Sequence, residues 1–180
     1  EGGERIPAIS VSTQDAELLS RLLKNEPLQL YLRADCRNLP PKPSFNVVGE
    51  IRGSEHPEEI ILVGGHLDSW DLGGGAHDDG AGCVHSLEVM HLLRLLDYRP
   101  RRTLRCVMFM NEENGLVGGL AYARASNERG EFHLAAIESD AGGFTPRAFS
   151  LDGDPETLSE HSQAAAQWLP LLEPYGITFT

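Results

Sequence analysis

Imidazole and carboxylate side chains crowd into one glycine-rich stretch that follows an apolar run in this sequence. After Ile61-Leu62-Val63 and two glycines come His66, Asp68, Asp71, His77, Asp78 and Asp79. Clustered carboxylates repel one another unless a positive charge lies among them. Imidazole and carboxylate together form a ligand set for a divalent metal, and zinc is the usual choice for the mixture. The alternative interpretation is an acidic surface loop.

Two later stretches repeat the pattern of an apolar strand that runs into acidic residues. Residues 104–110 lead into Glu112 and Glu113, and residues 134–137 lead through Glu138 and Ser139 to Asp140. In an open α/β sheet, ligands bind outside the carboxyl ends of the strands. The sequence therefore predicts that three strand ends converge on one site.

The order of the motifs HLDSWD, AHDDGAG, NEENG and ESDAGG resembles the co-catalytic di-zinc aminopeptidase superfamily and, within it, the branch of plasma glutamate carboxypeptidases. The resemblance implies two zinc ions. By this resemblance His66 binds one zinc, Asp78 bridges both, and Glu113 and Asp140 each complete a different zinc. It also implies that Glu112 is the general base toward a water held between the metals.

The residue types give the remaining positions of the motif a rationale. Adjacent residues at a strand end point in different directions, so Glu113 can bind metal while Glu112 stays free to move a proton. Asp68, two residues after His66, suits the role of holding the imidazole tautomer. In the resembled relatives a cis peptide bond precedes the position of Asp79, whose own role the sequence leaves open.

The leading interpretation is a zinc exopeptidase that hydrolyses dipeptides or short peptides. One alternative is a single-zinc acyl transferase similar to glutaminyl cyclases, and another is a non-catalytic domain of the same fold. A serine or cysteine hydrolase built on Ser69, Cys83 or Ser139 is disfavoured, because none of them lies in a GxSxG nucleophile elbow.

The resembled family takes a fifth metal ligand from a histidine well downstream of the Asp140 position. The sequence ends at Thr180 before reaching such a residue, and His161 is expected on the surface of a helix. We therefore expect a fragment that lacks the C-terminal part of the catalytic domain. Such a fragment would hold zinc incompletely and show little or no activity.

Alternating strand and helix patterns predict an α/β fold of three layers, α/β/α, around a largely parallel mixed sheet. Strands are predicted at 6–11, 28–32, 45–51, 58–63, 103–110 and 134–137, and helices from Ser12 to about 25 and at 80–97, 117–126 and 155–169. The strands 28–32 and 45–51 are expected to pair at the sheet edge. Residues 1–27 are predicted to be a remnant of an inserted lid domain similar to protease-associated domains. Residues 28–180 would then be the N-terminal part of the catalytic domain.

The composition limits the partners of the 180-residue chain. Its net charge of -12 argues against nucleic acid or an anionic membrane as partner. No stretch approaches the ~20 apolar residues of a membrane span. Cys83 and Cys106 are expected in the core, and with Cys36 they form no CxxC pair. We expect a peptide or dipeptide as substrate, with a homodimer as one candidate assembly. The resemblance implies a secreted, periplasmic or lysosomal location.

Overall fold

The computed structural model describes residues 8–37 and 39–179. By its internal contacts the chain divides into two units, with the boundary between Lys42 and Pro43. This boundary lies within the predicted catalytic part, and the assignment of residues 1–27 to a lid domain stays a prediction.

The N-terminal unit contains one helix, α1 (Thr13–Leu23), among its described residues. The Ser12 hydroxyl accepts a hydrogen bond from the Asp15 N–H at 3.1 Å, which confirms the predicted start of this helix. The predicted strand 28–32 is wrong, because these residues form no ladder with another segment. The predicted strand 6–11 is also absent over residues 8–11, and its first two residues lie outside the described part. A β pattern becomes a strand only where a partner strand takes its hydrogen bonds.

The C-terminal unit alternates strands and helices. Its strands are β1 (Val47–Ile51), β2 (His56–His66), β3 (Arg102–Phe109), β4 (Phe132–Glu138), β5 (Ala148–Phe149) and β6 (Thr178–Phe179). Its α-helices are α2 (Ala81–Leu95), α3 (Val117–Glu128), α4 (Pro155–Ala166) and the short α5 (Leu169–Leu172). A kinked turn at Ala76–Gly80, in which Asp78 and Asp79 have non-helical backbone angles, leads into α2. A 3-10 turn at Glu173–Tyr175 follows α5.

The main sheet has the strand order β1-β3-β2-β4. β2 is parallel to both of its neighbours, β3 and β4, whereas β1 pairs antiparallel with β3. Side chains alternate between the two faces of a strand. On one face Cys106 and Met108 belong to the cluster on which α2 packs, and on the other Arg105 and Phe109 contact Tyr122 of α3. The predicted α/β class, with helices on both sides of a mixed sheet, is confirmed.

The core lies in the two central strands, β2 and β3. Its main cluster contains Val63, Cys83, Leu104, Cys106 and Met108. This confirms that Cys83 and Cys106 are core residues. Cys36 is exposed.

The C-terminal segment differs from its prediction at the end of the helix 155–169. The predicted helix 155–169 ends at Ala166, and Pro170 lies in the first turn of α5, where a missing N–H costs nothing. Pro170 therefore begins a second helix and does not stop the first one. Among residues 8–37 and 39–179, none of the helices is both long and apolar enough to span a bilayer.

Candidate metal and catalytic site

The parallel order of the central strands brings the predicted residues to one edge of the sheet. His66 is the last residue of β2, Glu112 and Glu113 follow the end of β3, and Asp140 follows the end of β4. Because β2 lies between β3 and β4 and is parallel to both, the three carboxyl ends are neighbours. The predicted convergence of three strand ends is confirmed.

His66 is the centre of this cluster, and its side chain is only 1% exposed. Its Nδ1 lies 2.9 Å from the carbonyl oxygen of Asp68, so the Nδ1–H tautomer donates there. Its Nε2 then carries a lone pair. This nitrogen lies 3.1 Å from Asp78 Oδ1, 3.5 Å from Asp140 Oδ1 and 3.9 Å from Glu112 Oε2. A lone pair that faces carboxylate oxygens is stable only if a proton or another cation lies between them.

Two buried atoms of the cluster have no hydrogen-bond partner among the described residues. They are His66 Nε2 and Glu113 Oε1. A buried polar atom without a partner costs about 1–3 kcal/mol. Both atoms are electron-pair donors, so a metal cation would satisfy both at once. The ligand atoms of His66, Asp78 and Glu113 lie within 4.8 Å of one another, and so do those of His66, Asp79 and Asp140.

Asp78 and Asp79 are adjacent, but their carboxylates have different environments. Asp78 is 47% exposed and its Oδ1 faces the His66 ring. Asp79 is fully buried at 0% exposure, its Oδ2 accepts from the His66 N–H at 2.9 Å and its Oδ1 accepts from the Gly82 N–H at 3.0 Å. The peptide bond between the two residues is cis, as the resemblance implied. Since both oxygens of Asp79 already accept backbone N–H groups, Asp78 is the freer metal ligand.

Asp68 joins the ends of β2 and β3. Its Oδ1 accepts from the Glu112 N–H at 2.9 Å, and its Oδ2 accepts from the Glu113 N–H at 3.2 Å. The His66 ring is held by the carbonyl oxygen of Asp68, whereas the carboxylate oxygen Oδ1 lies 3.8 Å from His66 Nδ1. The carboxylate thus holds the main chain of the Glu112-Glu113 pair. The role of Asp68 in holding the His66 tautomer stays a prediction, and in this structure its nearest contact to the ring is the backbone carbonyl.

The family model of peptidase family M28 matches residues 46–178, which include the complete cluster. The chain belongs to peptidase family M28. Carboxypeptidase Q of Homo sapiens is 38% identical over 180 residues, an alignment that covers 99% of this M28 chain and 37% of the human protein. The M28 chain therefore spans 37% of the length of this curated relative.

Solved structures of similar proteins agree with this assignment. The crystal structure of a peptidase M28 precursor from Shewanella amazonensis is 36% identical, with a TM-score of 0.64 over 74% of this chain and 29% of that one. LapB from Legionella pneumophila is 21% identical, with a TM-score of 0.61 over 75% of this chain and 38% of its own. The second likeness shows the M28 fold alone.

The electrostatics of the M28 cluster reflect an excess of carboxylates. Burial lowers the pKa of His66, but the Asp68 carbonyl and the carboxylates of Asp79, Asp140 and Glu112 outweigh burial, so the pKa is raised. The pKa of Glu113 is also raised, first by desolvation and then by the charge of Asp78. Shifted pKa values of this kind are typical of functional sites.

Most of the other polar residues singled out in the sequence lie outside this cluster. His161 is exposed, as predicted, and His85, His91 and Asp71 are exposed as well. His77 Nδ1 accepts a hydrogen bond from the Gly143 N–H at 3.0 Å. The sequence left the role of Asp79 open, and its hydrogen bonds to the His66 and Gly82 N–H groups appear only in the structure. A signal in the sequence is its place just before the predicted start of helix 80–97, where a carboxylate can accept from a first-turn N–H, as Asp79 does from Gly82.

Proposed function

We propose that the complete protein containing this chain is a zinc-dependent exopeptidase that hydrolyses dipeptides or short peptides. The observation that carries the proposal is the pair of buried, unpartnered donor atoms on His66 and Glu113, which lie within a ring of carboxylates. Membership of peptidase family M28 supports peptide-bond hydrolysis as the reaction.

The donor set fits zinc. His66, Asp78, Glu113 and Asp140 would hold two ions, with Asp78 shared between them. A mixture of imidazole and carboxylate ligands is typical of catalytic zinc sites. When bound, zinc polarises the carbonyl of the scissile peptide and lowers the pKa of the attacking water.

Glu112 is the proposed general base. Its side chain is 30% exposed and reaches to 3.9 Å from the His66 ring, so it faces the cluster and is open to a substrate. Its carboxylate takes one proton from the water as the oxygen bonds to the carbonyl carbon. It then gives that proton to the amine nitrogen as the C–N bond breaks, which balances the hydrolysis. The Asp68 carboxylate keeps the Glu112 main chain in place through the N–H at 2.9 Å.

The decisive experiment is the zinc content of the purified complete protein. We expect two zinc ions per chain and dipeptide hydrolysis that depends on them. One ion per chain, with cyclisation of N-terminal glutamine, would favour the cyclase-like alternative. No bound zinc and no hydrolysis would contradict the proposal in favour of a non-catalytic domain.

The end of the peptide that the enzyme recognises can be tested in the same preparation. Carboxypeptidase Q and a probable leucine aminopeptidase of Aspergillus oryzae are both similar to this chain, and their names point to opposite ends of a peptide. The higher identity to the former, 38% against 28%, favours a free carboxyl end. We expect a C-terminal amide to block hydrolysis more strongly than an N-terminal acetyl group.

A further inference from the structure

Three side chains from residues 79–86 form hydrogen bonds with the last backbone groups of β2. Asp79 Oδ2 accepts from the His66 N–H at 2.9 Å. The Cys83 thiol donates to the His66 carbonyl oxygen at 3.1 Å, and the Ser86 hydroxyl donates to the Gly64 carbonyl oxygen at 2.9 Å. All three side chains are buried. The main chain of His66 is therefore held at both its N–H and its C=O.

Two glycines allow the close approach that these hydrogen bonds require. A Cβ atom at Gly82 would overlap the Ser139 carbonyl oxygen and the Asp79 carboxylate, and a Cβ at Gly65 would overlap Asp79 and the start of α2. A side chain at either position would therefore overlap the Asp79 carboxylate. The Gly82 N–H lies in the first turn of α2, where helical hydrogen bonds leave the N–H groups without a partner, and Asp79 Oδ1 accepts from it.

We infer that Asp79 is a positioning residue of the metal site, which it serves by holding the His66 main chain in a fixed place beside Asp78. This inference rests on the proposed zinc site. Asp79 follows Asp78 directly, and its two hydrogen bonds join His66 of β2 to Gly82 of α2. One carboxylate therefore sets the distance between the elements that carry the imidazole ligand and the bridging carboxylate. Groups behind the ligands commonly determine metal affinity in this way.

The structure also suggests a rival role for Asp79. Its ligand atom falls within 4.8 Å of those of His66 and Asp140, so it could itself be a metal ligand. If Asp79 were a ligand, it would have to give up a backbone hydrogen bond when the metal binds. Substitution of Asp79 would then remove an ion. A positioning residue keeps both hydrogen bonds, and its loss weakens binding while the number of ions stays the same.

The test is Asp79→Asn in the complete protein, with zinc affinity measured by competition against a chelator. An asparagine offers one acceptor and one NH₂ group, so one of the two backbone N–H groups must face a donor. We expect zinc to bind about 10- to 100-fold more weakly, with the ion count unchanged at saturating zinc. Asp71→Asn, the same change of charge at an exposed residue nearby, is the matched control and should leave the affinity unchanged.

The wild-type protein provides a second measurement that does not depend on the variant being folded. Binding and local stability are linked reciprocally. Zinc should therefore slow hydrogen exchange of the His66 and Gly82 amides more than that of amides in β1. A folded Asp79→Asn variant with wild-type zinc affinity would overturn the inference, as would the loss of one ion. If the variant does not fold, unchanged exchange at the His66 amide in the wild type overturns it. A wild-type protein that binds no zinc would instead contradict the proposed function.

Discussion

Two buried charge clusters lie on this sheet, and they are balanced in opposite ways. In the middle of β3, the Arg105 guanidinium donates to Glu50 at 2.8 Å, to Glu131 at 2.9 Å and to Tyr122 at 2.8 Å. At the carboxyl ends of the strands, the His66 cluster has several carboxylates, and no arginine or lysine among residues 8–37 and 39–179 hydrogen-bonds to it. The first cluster contains its own cation and the second does not.

The directions of the pKa shifts express this difference. The Arg105 guanidinium, followed by that of Arg129, holds the pKa of Glu131 well below its usual range. Desolvation raises the pKa of Asp79, and it raises that of Glu113 together with the charge of Asp78. A carboxylate cluster with raised pKa values and unpartnered donor atoms is the one that needs an external cation. The comparison therefore separates a cluster that stabilises the fold from the cluster that we propose binds a metal.

Removal of metal should have the largest effect on peptide hydrolysis. If it had no effect, the contrast between a cluster with its own cation and a cluster that needs one would be wrong. We expect exhaustive chelation of the complete protein to abolish peptide hydrolysis, because the His66 cluster then lacks its cation. Added zinc should restore the activity. The measurement is the rate of dipeptide hydrolysis before chelation, after it and after zinc is returned. Full activity in metal-free protein would refute the metallopeptidase proposal.

The Glu112-Glu113 pair allows the roles within the cluster to be separated. Glu112→Gln should lower kcat by about 10² to 10⁴, the usual contribution of a general base, and leave the zinc content nearly intact. Glu113→Gln should instead lose zinc, because it replaces a proposed ligand. Zinc analysis and steady-state kinetics on the same samples provide the measurement. Identical or exchanged effects would show that the pair is assigned wrongly.

Substitution of Arg105 should lower the free energy of unfolding and leave the proposed peptide hydrolysis largely unchanged. Arg105→Met leaves Glu131 with a side chain only 19% exposed and without its main cation, so we expect a loss of about 3 kcal/mol in the free energy of unfolding. Urea unfolding of the complete protein measures this loss. Arg101→Met is the matched control, since Arg101 and its partner Glu55 are 62% and 53% exposed, and its cost should stay within about 1 kcal/mol. An equal cost for both variants would contradict the structural role of Arg105.

Acidification should produce the smallest effect, and its sign follows from the lowered pKa of Glu131. The ionised carboxylate stabilises the folded state above the ordinary pKa of 4.5, and this contribution falls as the pH drops toward the folded-state pKa. The stability difference between wild type and Glu131→Gln should therefore be constant at neutral pH and shrink below about pH 4.5. Urea midpoints of both proteins at pH 7, about 5 and about 3.5 provide the measurement. A difference that grows on acidification would contradict the assignment.

Elements with strong local signals were predictable. Apolar runs predicted β2 and β3, and the predicted helix that starts at Ser12 corresponds to α1. The predicted strand at residues 28–32 was wrong because these β-forming residues have no partner strand among the described residues. The predicted end of the helix 155–169 was wrong because the sequence does not distinguish a proline that ends one helix from a proline that begins the next.

The sequence by itself determined which residue types stand at the strand ends, and therefore the metal-binding character of the site and its family. Motif residues within a few positions of one another carry this information directly. Only the tertiary structure decided how the neighbouring carboxylates divide their roles. The Asp79 carboxylate accepts a hydrogen bond from the His66 N–H. The Asp68 carboxylate accepts hydrogen bonds from the N–H groups of Glu112 and Glu113, which follow Asp68 by more than forty positions in the chain. Such pairings depend on which strand ends are neighbours in the sheet, and adjacent aspartates are chemically identical until the fold buries one of them.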